Sequence, residues 1–117
     1  MPSYLKNEVV LVRYPFTDFS DVKIRPAIVV SAPHTSQDVF IVPLTSKTKS
    51  LLAGEFVLQG WPQVGLNVES AVKRGIYTVR EPLVLKRVGK LTNSDAVNLA
   101  KSLREWLDLV ESDETEN

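Results

Sequence analysis

The stretch RPAIVVSAPHTSQDVFIVPLTS, residues 25–46, contains two short runs of apolar, mostly β-branched residues separated by a polar turn. The first run, 27–31, follows Pro26, and the second, 38–42, ends at Pro43. β-Branched residues favour strands, and proline is tolerated where a strand begins or ends. The stretch therefore predicts two strands whose pairing would bring their ends together in a small β-structure.

Further strands are predicted on both sides of this stretch. An apolar run ends at Pro15, and shorter extended pieces follow the polar segment 44–54. The additional predicted strands are 8–14, 55–58, 68–73, 77–80 and 83–88, the last broken by Gly89. Residues 15–24 and 59–67 are predicted as loops from their polar, Gly and Pro content.

One helix is predicted after Thr92. Thr92 can cap it, and Asp95 three residues later resembles a capping box with Asp in place of Glu. Helical spacing then relates Ala96, Leu99, Ala100, Leu103, Leu107 and Val110. Five to seven short strands followed by one amphipathic helix predict a mainly β fold, a small antiparallel barrel with the helix on one side.

The length of 117 residues indicates one domain, predicted as residues 1–111, with an acidic tail at 112–117 expected to be disordered. Residues 1–104 hold all 14 Lys and Arg but only 8 of the 14 Asp and Glu, a net charge of +6. The other six acids lie in 105–117, for a net of −6. A basic body is compatible with a nucleic-acid or phosphate partner.

Several classes of protein are excluded by what the chain lacks. The absence of Cys rules out disulfides, a zinc knuckle and a thiol nucleophile, and a single His rules out a multi-histidine metal site. No run approaches the ~20 apolar residues of a membrane span, and the start has no apolar signal region, so we expect a cytoplasmic protein. Asp18 and Asp21 are interpreted as a solvated turn rather than a metal site. His34 is interpreted as an exposed loop residue, a general base only if folding brings it to the site.

The most informative polar residues are cations and hydroxyls at predicted strand ends. They are Arg25, Thr45, Ser46, Lys47, Lys49, Lys73 and Arg74. Arginine presents a charged fork that suits phosphate, and hydroxyls can hold phosphate oxygens. An RNA phosphodiester can be cleaved by its own 2′-hydroxyl without metal if a base, a cation and an acid are positioned around it. Taken alone, this pattern also fits an ordinary hydrated loop.

The order of several motifs resembles the MazF/PemK family of toxins from type II toxin-antitoxin modules. EVVLVRYPFTD (8–18) followed by RPAIVVS (25–31) is similar to the opening of that family, and VPLTS (42–46) to its strand-end Pro-x-Thr-Ser. Gly65-Leu66, SAVK (70–73) and VGKLT (88–92) resemble its later segments. The resemblance covers about residues 8–107.

The resemblance implies an SH3-like barrel with a C-terminal helix, usually a homodimer. It implies an endoribonuclease, an mRNA interferase that cleaves single-stranded RNA without metal or cofactor, and an antitoxin whose tail covers the RNA groove. By motif, Arg25 and Thr45 match the family's catalytic residues, Ser46 the neighbouring hydroxyl, and Lys73 an Arg of some members. Some members carry Asp where this chain has Gly75, and His and Glu in the first loop, which has neither here. The general base is therefore not assigned.

Two other functions remain open at the level of sequence. A catalytically weak relative would still bind its antitoxin and, through it, operator DNA as a co-repressor. An unrelated SH3-like module would bind protein or RNA without cleavage. The weak relative remains possible because the set of acid and base residues is incomplete. The unrelated module remains possible because each motif, taken singly, is weak.

Overall fold

The computed structural model describes residues 4–14 and 23–109. In chain order the elements are β1 (Glu8–Tyr14), β2 (Lys23–Val29), β3 (Asp38–Thr45), a one-turn helix α1 (Trp61–Val64), β4 (Ala71–Val72), β5 (Tyr77–Arg80), a 3-10 turn (Glu81–Leu83), β6 (Val84–Lys90) and α2 (Asn93–Leu107). The prediction of a mainly β fold with a C-terminal helix is confirmed.

All strand pairs in the sheet are antiparallel. The strand order is β4-β3-β2-β1-β6, and β5 also pairs with β3. The strands β1, β2 and β3 therefore form the centre of the sheet. Within the described residues, no helix is both long enough and apolar enough to cross a membrane.

The central strands are buried on both faces. Alternate residues point to opposite sides of a strand, and here each side meets its own core. One core contains Tyr4, Val10, Val12, Ala27, Val29, Val39, Ile41, Val79 and Val84. The other contains Val9, Ile28, Val42, Leu44, Leu58, Val64, Val72, Leu91 and Leu99, the last from α2. Burial on both faces explains why β1, β2 and β3 are nearly continuous apolar runs rather than alternating ones.

β2 and β3 both continue through the prolines at which they were predicted to begin and to end, because these prolines do not interrupt the pairing. β2 begins at Lys23 rather than residue 27 and ends at Val29 rather than 31. Pro26 is tolerated because β3 pairs with β2 only from Ala27 onward. β3 continues through Pro43, whose carbonyl still accepts a hydrogen bond from the Lys73 amide (3.0 Å).

Four other predictions, of three strands and one loop, differ from the structure. Residues 55–58 form no strand, only a single bridge between Val57 and Ala71. Of the piece 68–73, only β4 is a strand, and the predicted loop 59–67 contains α1. Gly89 lies inside β6 instead of ending it. A Cβ at Gly89 would collide with the carbonyl oxygen of Val64, so glycine there allows α1 to approach the strand.

The prediction of the helix start is confirmed, with an additional role for Asp95. The hydroxyl of Thr92 accepts the Asp95 amide, as an N-cap does. The Asp95 side chain is fully buried and accepts the amides of Gln59 and Gly60, both at 2.9 Å. It thus joins α2 to the segment before α1. Val110 and the acidic tail 112–117 lie outside the described residues.

Candidate nucleic-acid cleavage site

Arg25 and Thr45 are brought together by strand register. β2 and β3 pair from Val29↔Ile41 to Ala27↔Pro43, and two further steps along this register set Arg25 opposite Thr45. Both positions continue the alternate row that contains Ala27 and Ile41. The two residues therefore lie on one face, where β2 and β3 separate, at the end of the core that contains Ala27.

A cleft forms at this point of separation. It has a volume of about 140 Å³ and is lined by Arg25, Pro43, Leu44, Thr45, Lys47, Lys73 and Tyr77. Pockets for whole small molecules are typically about 300–1,000 Å³. The cleft is smaller and carries three cations, Arg25, Lys47 and Lys73, so it suits one anionic group of a larger molecule.

The hydroxyl of Thr45 is oriented by the loop that follows β3. Its oxygen accepts the backbone amide of Lys47 at 3.1 Å. A hydroxyl has one proton to donate and two acceptor positions. Because the amide occupies an acceptor position, the proton remains for a ligand oxygen in the cleft.

Lys73 enters the cleft from a bulge between β4 and β5. Both strands pair with β3, through Leu44↔Val72 and Ile41↔Tyr77. Between these two pairs, β3 has two residues, Val42 and Pro43, whereas the chain from β4 to β5 has four. These four residues, 73–76, are called the bulge. The backbone of Lys73 is held on the Pro43 carbonyl, and its side chain lines the cleft.

The other predicted phosphate-binding residues lie beside the cleft. Ser46 and Lys49 line a shallow neighbouring depression together with Lys47 and Thr48. Arg74 is exposed on the bulge next to Lys73 but does not line the cleft. The structure therefore brings Arg25, Thr45, Lys47 and Lys73 into one cleft, with the remaining three predicted cations and hydroxyls around it.

Tyr77 is an aromatic residue that also lines the cleft. It opens β5 opposite Ile41, in the middle of β3. Its ring packs edge-on against Tyr14, with 5.8 Å between ring centroids.

Glu55 is a residue of the site region that sequence reasoning missed. Its carboxylate accepts the amides of Leu52 and Arg74, each at 2.8 Å. Burial alone would raise its pKa, but these two hydrogen bonds and the charges of Lys73 and Arg74 outweigh burial and lower the pKa below its ordinary value of 4.5. Glu55 is therefore ionised at neutral pH. The only signal in the sequence was an acid within a predicted strand, which is too common to interpret.

His34 lies away from the cleft, as expected for an exposed loop histidine. It belongs to the turn between β2 and β3, at the opposite end of these strands from Arg25 and Thr45. Its Nδ1 accepts the Ser36 amide at 3.0 Å. Asp18 and Asp21 lie outside the described residues. Within residues 4–14 and 23–109, no group of three or more acidic or histidine side chains could hold a metal ion.

Comparison with known families and structures gives consistent matches. The family profile of PemK-like, MazF-like toxins of type II toxin-antitoxin systems matches residues 6–107. A search of curated protein sequences finds no match.

Solved structures of mycobacterial toxins resemble the chain in fold. An endoribonuclease in complex with its cognate antitoxin has a TM-score of 0.68 at 20% identity, covering 95% of this chain and 99% of that one. Another mycobacterial endoribonuclease has a TM-score of 0.71 at 19% identity, covering 95% and 97%. The Mycobacterium tuberculosis toxin MazF-mt6 has a TM-score of 0.66 at 21% identity, covering 87% and 98%.

Proposed function

The chain belongs to the PemK-like, MazF-like toxins of type II toxin-antitoxin systems, and on that premise we propose that it is an endoribonuclease that cleaves single-stranded RNA without a metal ion. Family membership excludes the unrelated SH3-like module as an interpretation. Two of the solved structures with this fold are endoribonucleases, which supports RNA as the substrate of the cleft.

The observation that carries this proposal is the composition of the cleft. Arg25, Lys47 and Lys73 line the same cleft as Thr45, and the volume of the cleft suits a single phosphate. Guanidinium and ammonium groups stabilise the additional negative charge that develops as a phosphodiester is attacked. The Lys47 amide occupies one acceptor position of the Thr45 hydroxyl and leaves its proton available, and this proton is donated to a non-bridging phosphate oxygen.

The proposed reaction is an internal transfer. The 2′-oxygen of one nucleotide loses its proton and forms a bond to the adjacent phosphorus, while the bond to the 5′-oxygen of the next nucleotide breaks and that oxygen takes up a proton. The products are a 2′,3′-cyclic phosphate and a 5′-hydroxyl. Arg25 stabilises the phosphorane and supplies a donor toward the leaving oxygen. The group that removes the 2′-proton is not assigned to any residue of the cleft.

Mapping of the cleaved ends tests this proposal. Purified protein is incubated with a long single-stranded RNA in EDTA, and the 5′ ends are ligated to an adaptor with and without prior phosphorylation. We expect cleavage in EDTA, and ends that ligate only after phosphorylation because they carry a 5′-hydroxyl. Cleavage that requires added Mg²⁺, or ends that ligate directly, would overturn the mechanism.

The proposed partners are a cognate antitoxin and a second copy of the chain. One structural neighbour was solved in complex with its antitoxin, and a cationic cleft of this kind would attract an acidic antitoxin segment. Through the antitoxin the toxin would reach operator DNA, and it would act in the cytoplasm, where messenger RNA is present. The family resemblance implies a homodimer, and exposed apolar side chains such as Phe40 and Leu85 are available for contact with a second copy. Light scattering should give twice 13.1 kDa.

The catalytically weak relative remains the second candidate, favoured by Gly75 and by the absence of an assigned base. A protein that binds antitoxin and, with it, operator DNA, but leaves RNA intact under every condition, would establish that alternative.

A monomer at micromolar concentration in the light-scattering measurement would contradict the proposed homodimer.

A further inference from the structure

The bulge 73–76 is supported partly from the side that faces away from β3. Amides along a strand point alternately to its two sides, so only every second amide can meet a carbonyl of β3. The Val72 amide points away from β3 and donates to the Phe56 carbonyl at 2.8 Å. The Lys73 amide still reaches the Pro43 carbonyl. The next amide, that of Arg74, is bound instead by the Glu55 carboxylate at 2.8 Å.

Glu55 is itself held rigidly in a turn formed by residues 52–55. The Glu55 amide donates to the Leu52 carbonyl (2.9 Å), and the Leu52 amide donates back to the Glu55 carboxylate (2.8 Å). Gly54 adopts a positive φ of 84° within this turn, a conformation that glycine adopts without strain. One carboxylate oxygen therefore closes the turn while the other binds the bulge.

The turn 52–55 is in turn anchored on α2. The hydroxyl of Ser102 donates to the Gly54 carbonyl at 2.7 Å, and the indole of Trp106 donates to the Ala53 carbonyl at 3.0 Å. Trp106 also packs against the core shared by α2 and the sheet. A continuous set of contacts thus runs from α2 through the turn and Glu55 to the bulge, which presents Lys73 to the cleft.

We propose that Glu55 is a positioning residue, which fixes the bulge 73–76 so that Lys73 lies beside Arg25 and Thr45. The expected effect on kcat rests on the proposed RNA cleavage. The expected effect on the position of the bulge rests on the geometry alone. Glu55 is not among the residues that line the cleft, so it acts on the reaction only through Lys73. Its ionised state strengthens both hydrogen bonds, since carboxylate acceptors bind amides more strongly than neutral acceptors do.

Charge and position predict opposite effects, which makes the proposal testable. If Glu55 acted only through its charge, then its removal would make the region more cationic and RNA would bind and react at least as well. If it positions Lys73, then its removal lowers kcat while RNA affinity at low salt does not fall. We expect Glu55→Ala to lower kcat about tenfold, and Glu55→Gln by less, because one amide oxygen can still accept one of the two amides.

The experiment compares Glu55→Ala and Glu55→Gln with Glu105→Gln as a matched control. Glu105 is exposed on α2 beside Gly54 and lines the same surface depression as Glu55, together with Lys101. Its substitution removes the same charge without touching the bulge. Steady-state cleavage gives kcat and KM, and binding of a 2′-deoxy oligonucleotide, which lacks the attacking hydroxyl, gives Kd. Melting temperature shows whether each variant is folded.

The double variant Glu55→Ala/Lys73→Ala separates positioning from a general structural role. If Glu55 acts through Lys73, then the double variant is no slower than Lys73→Ala alone, a non-additivity expected of coupled residues. Full additivity of the two losses, or a kcat for Glu55→Ala equal to that of the native protein, would overturn the proposal while leaving RNA cleavage intact.

Hydrogen exchange provides a readout that does not depend on activity. We expect the Arg74 amide to exchange at least about tenfold faster in Glu55→Ala than in the native protein, while the Val72 amide of β4 and all amides of Glu105→Gln are unchanged. If the native protein cleaves no RNA, the proposed function fails, and the exchange data still decide whether Glu55 holds the bulge. An unchanged Arg74 amide would overturn the proposal on its own.

Discussion

The side chains of Arg25 and Thr45 contribute differently to the proposed cleavage, and substitution distinguishes them. Arg25→Ala removes the cation opposite the reacting phosphate, and we expect a loss of roughly 3 kcal/mol of transition-state stabilisation, about a hundredfold in rate. Arg25→Lys should also be slow, because a point charge does not reproduce the planar fork. Cleavage kinetics on a short RNA, and relief of toxicity in cells, measure both.

Thr45→Ala should lower the rate as well, because the donor to the phosphate oxygen is lost. Thr45→Ser keeps the hydroxyl and is the matched control, expected to retain most of the activity.

Lys73→Ala should lower the cleavage rate less than Arg25→Ala does, since Arg74 lies next to Lys73 on the bulge and replaces part of its charge. Near-native cleavage by Arg25→Ala with an unchanged melting temperature would move the site elsewhere in the chain.

At the level of elements, Asp95 attaches the start of α2 to the segment before α1. Its fully buried carboxylate accepts two amides from residues 59–60, so Asp95→Ala leaves both without a partner. We expect a loss of about 3 kcal/mol of unfolding free energy, at the upper end for one buried polar group with several partners. Urea denaturation measures it, with the exposed Ser94→Ala as the control from the same helical turn.

Asp95→Asn is a milder variant of this experiment, because the amide oxygen retains one acceptor position. It should lie between Asp95→Ala and the native protein. If Asp95→Ala were as stable as Ser94→Ala, then the contact between α2 and the segment before α1 would contribute nothing to stability.

The packing of α1 on β6 makes a second prediction at this scale. Gly89→Ala places a methyl group against the Val64 carbonyl, which belongs to backbone and has no rotamer to yield. We expect a loss of about 1–3 kcal/mol, the usual cost of overpacking. Thermal melting checks this, with Lys90→Ala, an exposed neighbour in the same strand, as the control; equal melting temperatures for the two variants would contradict the close approach.

The elements show which parts of the fold a sequence can reveal. β1 and the start of α2 were predicted to the residue, because a continuous apolar run and an N-cap are local signals. The start of β2 and the end of β3 were missed. Proline has no backbone N–H, so Pro26 and Pro43 would interrupt a strand only if the partner strand required a hydrogen bond from that position. Whether such a hydrogen bond is required depends on the partner strand, which is a long-range property.

The same distinction applies to the site. Arg25 and Thr45 were singled out because each adjoins an apolar run within a recognisable motif, and the register of β2 and β3 does bring them together. Glu55 could not be predicted, because its partner is a backbone amide 19 residues away on a bulge. The position of Tyr77 in the cleft likewise depends on the pairing of β5 with β3, which no local pattern indicates.

At the scale of the whole molecule, the separation of charge along the chain predicts an effect of salt on RNA binding. The body is basic, and residues 112–117 contribute three acids, Asp113, Glu114 and Glu116. Deletion of these residues should raise RNA affinity at low salt, because long-range repulsion of the phosphate backbone is reduced, and should change little at high salt, where such interactions are screened.

Fluorescence anisotropy with a labelled 2′-deoxy oligonucleotide at two salt concentrations measures this effect. The control replaces Asp113, Glu114 and Glu116 with Asn or Gln at constant length, and it should reproduce the deletion if charge is the cause. Affinities that are unchanged at every salt concentration would assign the tail no part in binding.

The bulge 73–76 has a consequence for changes in the length of the chain. β4 and β5 are each fixed on β3 by their own pairing, so the chain between them can change in length without shifting either ladder. Doubling the length of such a loop costs only about 0.6 kcal/mol in closure entropy. The segment that presents a cation to the cleft can thus change in length independently of the strands on either side of it. An insertion there should move Lys73 relative to the cleft, while the register that sets Arg25 opposite Thr45 stays the same.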